Sequence, residues 1–368
     1  MRAFDAAFPR VLHVLPFLGM GGGAPRAALT LIAEQQKRRP TWVLSLVDDD
    51  FAVEARKTGA AVQWVYPRDG WPPNRVARWW RAVQAIRRVV KSEGIDLIHC
   101  HSAPGNRYCY PASRLTGVPL VSHQRDTYTP DHFHAWVART DAIIAISEWV
   151  RRNLPEKLRN KVTVVHDAVA IPEEAGIVWP RESGPLVVGM AGRCVPEKGM
   201  DLLINAALAL CPRMDFQIEI WGVQAGPEAE FASVLRERVR QSGYESRFRF
   251  AGYRMDMENF YRRADVVVVP SRVTEGFGLT AAEGQAWGKA VIAAGHGGLA
   301  EIVEHERTGL QFTPHDAGSL AAQLERLLTD SGLRLRLAKA GRESAAARFA
   351  PAAHAAGVDE VYRNMLGR

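Results

Sequence analysis

Cysteine is scarce in this 368-residue chain: Cys100, Cys109, Cys194 and Cys211 are the only four, and no two form a CxxC pair. Their number and spacing exclude a disulfide-stapled scaffold and a cysteine-rich metal site, and they fit a reducing compartment with core or incidental thiols. Long apolar runs are missing as well. No segment nears the roughly 18 consecutive apolar residues of a membrane-spanning helix, and Asp5 and Pro9 stand where a secretory signal needs unbroken apolar sequence. A cytoplasmic protein is the expectation. There is no HExxH, and the acidic run Asp48, Asp49, Asp50 is contiguous, so immediate neighbours point apart on an extended chain. No metal site, and metal-independent chemistry, are therefore expected.

The length exceeds what one hydrophobic core organises, which favours two domains. Apolar content is an ordinary 47%, and 47 basic against 40 acidic residues leave a net charge of +7. That balance favours anionic partners without choosing among nucleotides, lipid headgroups and nucleic acid.

Short β-branched runs at residues 11–16, 41–47, 61–66, 97–99, 118–123, 142–146 and 162–166 alternate with helix-patterned segments. Such alternation predicts parallel βαβ units whose strands are buried on both faces. It breaks at residues 171–184, IPEEAGIVWPRESG, with two prolines, two glycines and four charges, read here as a linker. A second series follows at 186–191, 216–221, 248–251, 266–270, 290–294 and 309–312. The expected fold is α/β: a Rossmann-like domain over residues 1–170, the linker, and a second Rossmann-like domain over 185–345.

The segment EGFGLTAAE follows the strand-like run that ends at Pro270, and it carries Glu275 and Glu283 eight positions apart. The carboxyl end of a strand in an open α/β sheet is where ligands bind, and the amides of a helix start attract phosphate. Glu275 is expected to precede the helix and Glu283 to lie in its third turn. One carboxylate then reaches hydroxyls at one end of an extended ligand, the other a ribose, with a diphosphate between. The plainer alternative is a solvated helix face with two ordinary acids. Arg193 and Lys198 follow the run 186–191 and are candidate cations for the diphosphate.

Three further signals are weaker. The loop GMGGGAPR, with Gly19, Gly21, Gly22 and Gly23 after the first strand, suits close approach to phosphate but lacks the third glycine of a dinucleotide fingerprint. His123 ends the run 118–123 beside Arg125 and Asp126, with His99 and His101 competing for any role it has. Residues 75–91, RVARWWRAVQAIRRVVK, form a basic amphipathic helix that lies on an anionic membrane or buries its apolar stripe in the domain.

The segments VGMAGRCVPEKGMDLLINA at 188–206, EGFGLTAAE, GKAVIAAGHGGLAEIVEHERTGLQF at 288–312 and AIIAISEWVRRNL at 142–154 resemble retaining glycosyltransferases of family 4, the glycosyl transferases group 1. The resemblance implies the GT-B architecture, two Rossmann-like domains with parallel sheets facing across a cleft. It implies a UDP- or GDP-linked sugar donor, no cofactor, no nucleic-acid partner, and a glycan or lipid-linked acceptor bound by the first domain. Under it, Glu275 holds sugar hydroxyls, the backbone of Phe277, Gly278 and Leu279 touches sugar and phosphate, and Glu283 holds the ribose. Gly252 and Tyr253 cradle the base, and His123 contacts the transferred sugar. Gly21 and Gly22 close over the donor phosphate, and residues 346–368 form a helix that returns to the first domain. Two departures stand out: His166 and Asp167 replace the usual residues before the linker, and His296 replaces a small polar residue in HGG at 296–298. Competing readings are a nicotinamide-dependent oxidoreductase, with GMGGGAPR on pyrophosphate and Asp48 on ribose, and a nucleotide-sugar isomerase or phosphorylase.

Overall fold

The computed structural model describes residues 8–15, 22–67, 74–125, 135–222, 227–254 and 256–367. Two compact units emerge: residues up to Ala168 joined by the segment from Pro351, and the contiguous stretch Val169–Ala350.

The first unit is built on a parallel sheet of β1 (Val11–Leu15), β2 (Thr41–Val47), β3 (Ala61–Tyr66), β4 (Leu97–Cys100), β5 (Leu120–Gln124), β6 (Ala142–Ala145) and β7 (Val162–Val164), in the order β3-β2-β1-β4-β5-β6-β7. Every residue of β1, β4 and β5 is buried, as strands covered on both faces require. β5 begins two residues later than the apolar run, after Pro119, which has no amide hydrogen for the ladder. β7 ends at Val164, and beyond it the His166 carbonyl accepts from His354 Nδ1 at 2.6 Å.

The helix Pro351–Leu366 lays Ala355, Val358, Val361 and Tyr362 on Val11, Leu97, Val121 and Ile144. Proline at its first position costs no helical hydrogen bond. Gly357 does not interrupt it; a Cβ there would sit 3.0 Å from Val165, so the small residue lets the helix lie close.

The helix Arg75–Glu93 is capped by the Asn74 side chain, which accepts from Val76 N and Ala77 N, and it stops at left-handed Gly94. Its apolar stripe divides. Val83, Ile86 and Val90 are in the core with Leu12, Leu44 and Ile98, whereas Val76 and Trp80 are 72% and 49% exposed. The acidic run is a helix start: Asp49 accepts from Ala52 N to cap Asp50–Lys57, and Asp48 pairs with Arg56 at 2.9 Å. No helix among the described residues is long and apolar enough to cross a membrane.

The second sheet is also parallel, with β8 (Leu186–Ala191), β9 (Phe216–Trp221), β10 (Phe248–Gly252), β11 (Val266–Val269), β12 (Ala290–Ala294) and β13 (Leu310–Phe312) in the order β10-β9-β8-β11-β12-β13. Residues 171–184 run along this unit. The Pro172, Val178 and Arg181 carbonyls accept from Arg342, Lys289 and Arg334. Buried Asp265 accepts from the Arg181 backbone at 2.8 Å, its guanidinium, and Val187 N at 2.8 Å. A buried carboxylate needs this many donors, since breaking such a cluster costs about 3–5 kcal/mol.

Candidate functional site

In an open parallel sheet, a crevice forms where the strand order reverses, outside the strands' carboxyl ends. In the second unit that point lies between β8 and β11, which pair through Val188↔Val266. The loops leaving these strands touch. Gly199, at φ +72, lies where a Cβ would come within 2.0 Å of the Pro270 carbonyl oxygen, so glycine alone permits the approach. Beside it Lys198 Nζ donates to Glu275 Oε1 at 2.7 Å, and Ser271 Oγ donates to the same oxygen. With Gly192 and Thr280 they line a small cavity. The Lys198 and Glu275 side chains are 29% and 17% exposed, close enough to water for a ligand to reach.

The HGG sequence holds this arrangement. His296 Nε2 donates to the Ser271 carbonyl at 2.9 Å, and Gly298 N donates to the Glu275 carbonyl at 2.8 Å. A Cβ on Gly298 would stand 2.4 Å from the Gly276 carbonyl oxygen. The histidine at this departure from the family pattern therefore grips the backbone that carries Glu275.

Gly278, at φ +108, starts the helix Leu279–Ala286, and the Phe277 ring is buried edge-on against Phe349. Glu283 falls in the second turn of that helix, not the third, because the helix begins at Leu279. Its Oε2 accepts from the Tyr261 hydroxyl at 2.7 Å. Arg193 is exposed just past β8 and has no ion-pair partner among the described residues, while Arg272 is taken by Asp201. Gly252 ends β10, its carbonyl accepting from Gly222 N at 2.8 Å, and Tyr253 is 57% exposed. Sequence reasoning missed Ser271, Tyr261 and the turn glycines Gly192 and Gly222. A Cβ on Gly222 would meet the Gly192 carbonyl at 1.9 Å, and only this tertiary approach reveals them.

In the first unit the order reverses between β1 and β4. His13 and His99 are direct register partners there, and His123 follows on β5. His101 lies just past β4, and His354 comes from the helix Pro351–Leu366. All five rings are buried, with His99 stacked on His101 at 4.1 Å and His123 at 5.2 Å from His99. Burial is the first cause that keeps them uncharged. It lowers His13 to about 3, with Arg39 adding to the effect, and pushes His99, His101 and His123 well below the usual imidazole range. His13, His99 and His101 have ligand atoms within 4.8 Å of one another, the types and spacing a metal ion requires. Both nitrogens of each ring, however, are hydrogen-bonded to protein groups. Arg125 is anchored by Asp167, with Nε 3.2 Å from both carboxylate oxygens, so the departure at Asp167 supplies the counter-ion of a buried cation. Gly22, at φ +93, precedes the helix Gly23–Gln36; Gly21 and Asp126 lie outside the described residues.

Comparison with known proteins agrees with this geometry. Residues 173–344 match the family described as Glycosyl transferases group 1, and residues 21–171 match Glycosyltransferase Family 4. The lipopolysaccharide core biosynthesis mannosyltransferase LpcC of Rhizobium leguminosarum is 30% identical over 305 residues, covering 80% of this chain and 81% of that protein. The D-inositol 3-phosphate glycosyltransferase of Corynebacterium glutamicum is 30% identical over 310 residues, covering 74% and 72%. Among solved structures, the Anabaena protein HepE in complex with UDP superposes with a TM-score of 0.84 at 21% identity, covering 96% of this chain and all of that one. Two parallel Rossmann-like units, both family matches and relatives of this coverage lead to one assignment: the chain belongs to the family 4 glycosyltransferases, group 1, of GT-B fold.

Proposed function

We propose that this chain is a retaining glycosyltransferase that moves a hexose-type sugar from a nucleoside diphosphate to an acceptor hydroxyl of a cell-envelope polysaccharide or glycolipid. The observation that carries the reading is the Lys198–Ser271–Glu275 cluster at the switch point of the second sheet, with Arg193, exposed just past β8, lacking an ion-pair partner among the described residues. A cation about 4 Å from a diphosphate oxygen is worth about 4 kcal/mol at an effective dielectric of 20. Lys198 and Arg193 are thus suited to meet the charge that develops as the diphosphate departs, without calling on a metal. Glu275 accepts from sugar hydroxyls, and Glu283, steadied by Tyr261, accepts from the ribose. The departing phosphate oxygen takes the acceptor's proton, so attack comes from the face the diphosphate leaves and the anomeric configuration is retained. HepE has also been solved with UDP-glucose, and LpcC is a mannosyltransferase, which supports a nucleotide-sugar donor of the UDP or GDP type.

Thermal unfolding with UDP, GDP, ADP or NAD tests the reading. A ligand at about one hundred times its dissociation constant stabilises by about 2.7 kcal/mol, a visible shift. One nucleoside diphosphate is expected to raise the melting temperature of the wild type and not of Glu283→Ala. A response to NAD alone overturns the reading in favour of the oxidoreductase, and product of inverted configuration by NMR overturns retention.

The proposed acceptor also bears on the helix Arg75–Glu93. Val76 and Trp80 sit one turn apart, exposed beside Arg75 and Arg81, a combination that suits an anionic lipid surface. Cosedimentation with phosphatidylglycerol vesicles at low salt is expected for the wild type and is expected to be lost in the double variant Val76→Ser, Trp80→Ser. Equal sedimentation of the two would show that this helix end is not the contact.

A further inference from the structure

The histidines of the first unit form two hydrogen-bonded chains, and the chemistry at their ends fixes where every proton sits. Asp359 is a carboxylate that receives Arg39, so the amide nitrogen of Gln35 must donate to it, as its 2.8 Å contact shows. The Gln35 carbonyl oxygen therefore faces His13 and accepts from Nε2 at 3.0 Å. His13 Nδ1 is left to accept from His101 Nε2 at 2.8 Å, and His101 Nδ1 then accepts from Arg125 Nη1 at 3.1 Å. Arginine has no acceptor. The two ends, an obligate donor and an obligate acceptor, demand the same set of tautomers.

The second chain starts at Tyr362. Burial pushes its phenol up, so it keeps its hydrogen, and His99 Nδ1 is the only hydrogen-bond partner of that hydroxyl among the described residues. The phenol hydrogen goes to His99 Nδ1, 2.5 Å away. His99 must then carry its own hydrogen on Nε2 and donate to His123 Nδ1 at 3.1 Å. His123 is left with its hydrogen on Nε2. That nitrogen is buried and has no hydrogen-bond partner among the described residues, on a ring that is itself fully buried. A buried donor without an acceptor is costly, which marks it as a group awaiting one.

We propose that Tyr362, acting through His99, is a positioning residue that locks His123 in the Nε2–H tautomer, so that His123 offers a fixed hydrogen-bond donor to a hydroxyl oxygen of a ligand bound by the first unit. The role assigned to the ligand rests on the transferase reading above; the lock itself does not. A ring held this way has no lone pair on Nε2. It cannot act as general base toward the acceptor, which leaves that task to the departing phosphate.

The test is histidine ring nitrogen NMR on the full chain at pH 7.5, without substrate. The wild type is expected to show His123 with a hydrogen-bearing Nε2 and an unprotonated Nδ1. Tyr362→Phe keeps the ring and removes the hydroxyl, and it is expected to convert that signal into a mixture of both tautomers. Its kcat is expected to fall about tenfold, the weight of one hydrogen bond, with the nucleotide-induced thermal shift unchanged because the second unit holds the nucleotide. A hydrogen on His123 Nδ1 in the wild type overturns the proposal, and that result stands even if Tyr362→Phe does not fold. An unchanged tautomer in Tyr362→Phe overturns it too. Failure of the transferase reading would appear separately, as the absence of any nucleotide response, with the spectrum still reporting the lock.

Discussion

Lowering the pH from 7.5 to 5 is expected to destabilise the first unit. His13, His99, His101 and His123 are fully buried, and burial holds each pKa far below its ordinary value, His13 at about 3. In the unfolded chain the same imidazoles take up protons as the pH falls through about 6.5. The folded unit refuses those protons, because a charged imidazole there would face buried Arg39 or Arg125 with little water to screen it. The stabilisation is therefore complete above pH 6.5 and drains away as the pH falls from there toward the folded values. At pH 5 His13, held at about 3, forfeits about 2 kcal/mol, and His99, His101 and His123 add losses of the same sign. Circular dichroism melts across this range should show one transition moving steeply to lower temperature. The second unit's transition should move little, since its histidines, His296, His305 and His315, are not buried. A melting profile flat from pH 7.5 to 5 would refute the account.

Glu275→Gln and Lys198→Met are each expected to lower kcat/KM by about 10² to 10³, the usual cost of losing one group aimed at charge or hydroxyls in a transition state. The two side chains share a contact of 2.7 Å, and Ser271 donates to the same carboxylate oxygen, so neither acts alone. Removing Lys198 frees Glu275 to repel the diphosphate it should flank. Removing the charge of Glu275 leaves Lys198 without the partner that aims it. The double variant is consequently expected to fall within about tenfold of the weaker single variant, far short of the product of the two effects. Steady-state kinetics on the three proteins, with melting temperatures as a control for folding, decides the matter. Single variants within tenfold of wild type would remove both residues from the reaction.

Much of this fold was legible in the sequence because buried parallel strands announce themselves as apolar runs. Residues 41–47, 61–66, 186–191, 216–221 and 290–294 were read with the bounds the strands have. Strand ends were less legible where a single tertiary contact decides them, as His354 does beyond β7. The stripe at 75–91 was visible as a stripe, but its division into a buried and an exposed part depends on how far the helix reaches over the sheet. At the second-unit site, Lys198 and Glu275 were both named in advance, each for its own place after a strand; that they touch needed the Gly199 approach to Pro270. The histidine cluster was scarcely visible. His99, His101 and His123 were noticed singly, and His13 and His354 not at all, because nothing local links residues drawn from three strands and a distant helix. Asp167 looked like an irregularity of the hinge, and its meaning appeared only with Arg125 beside it.

The helix Pro351–Leu366 belongs to the first unit, although the whole of the second is encoded before it. As the polypeptide leaves the ribosome, β1 to β7 emerge first, yet Arg39 still lacks Asp359 and His99 still lacks Tyr362. An unpaired buried cation is not tolerated, so the earliest part of the chain cannot close its core when it appears. The second unit, unbroken from Val169 to Ala350, can finish while the first is still waiting. Birth order and folding order are thereby uncoupled, and the half made first is the half completed last.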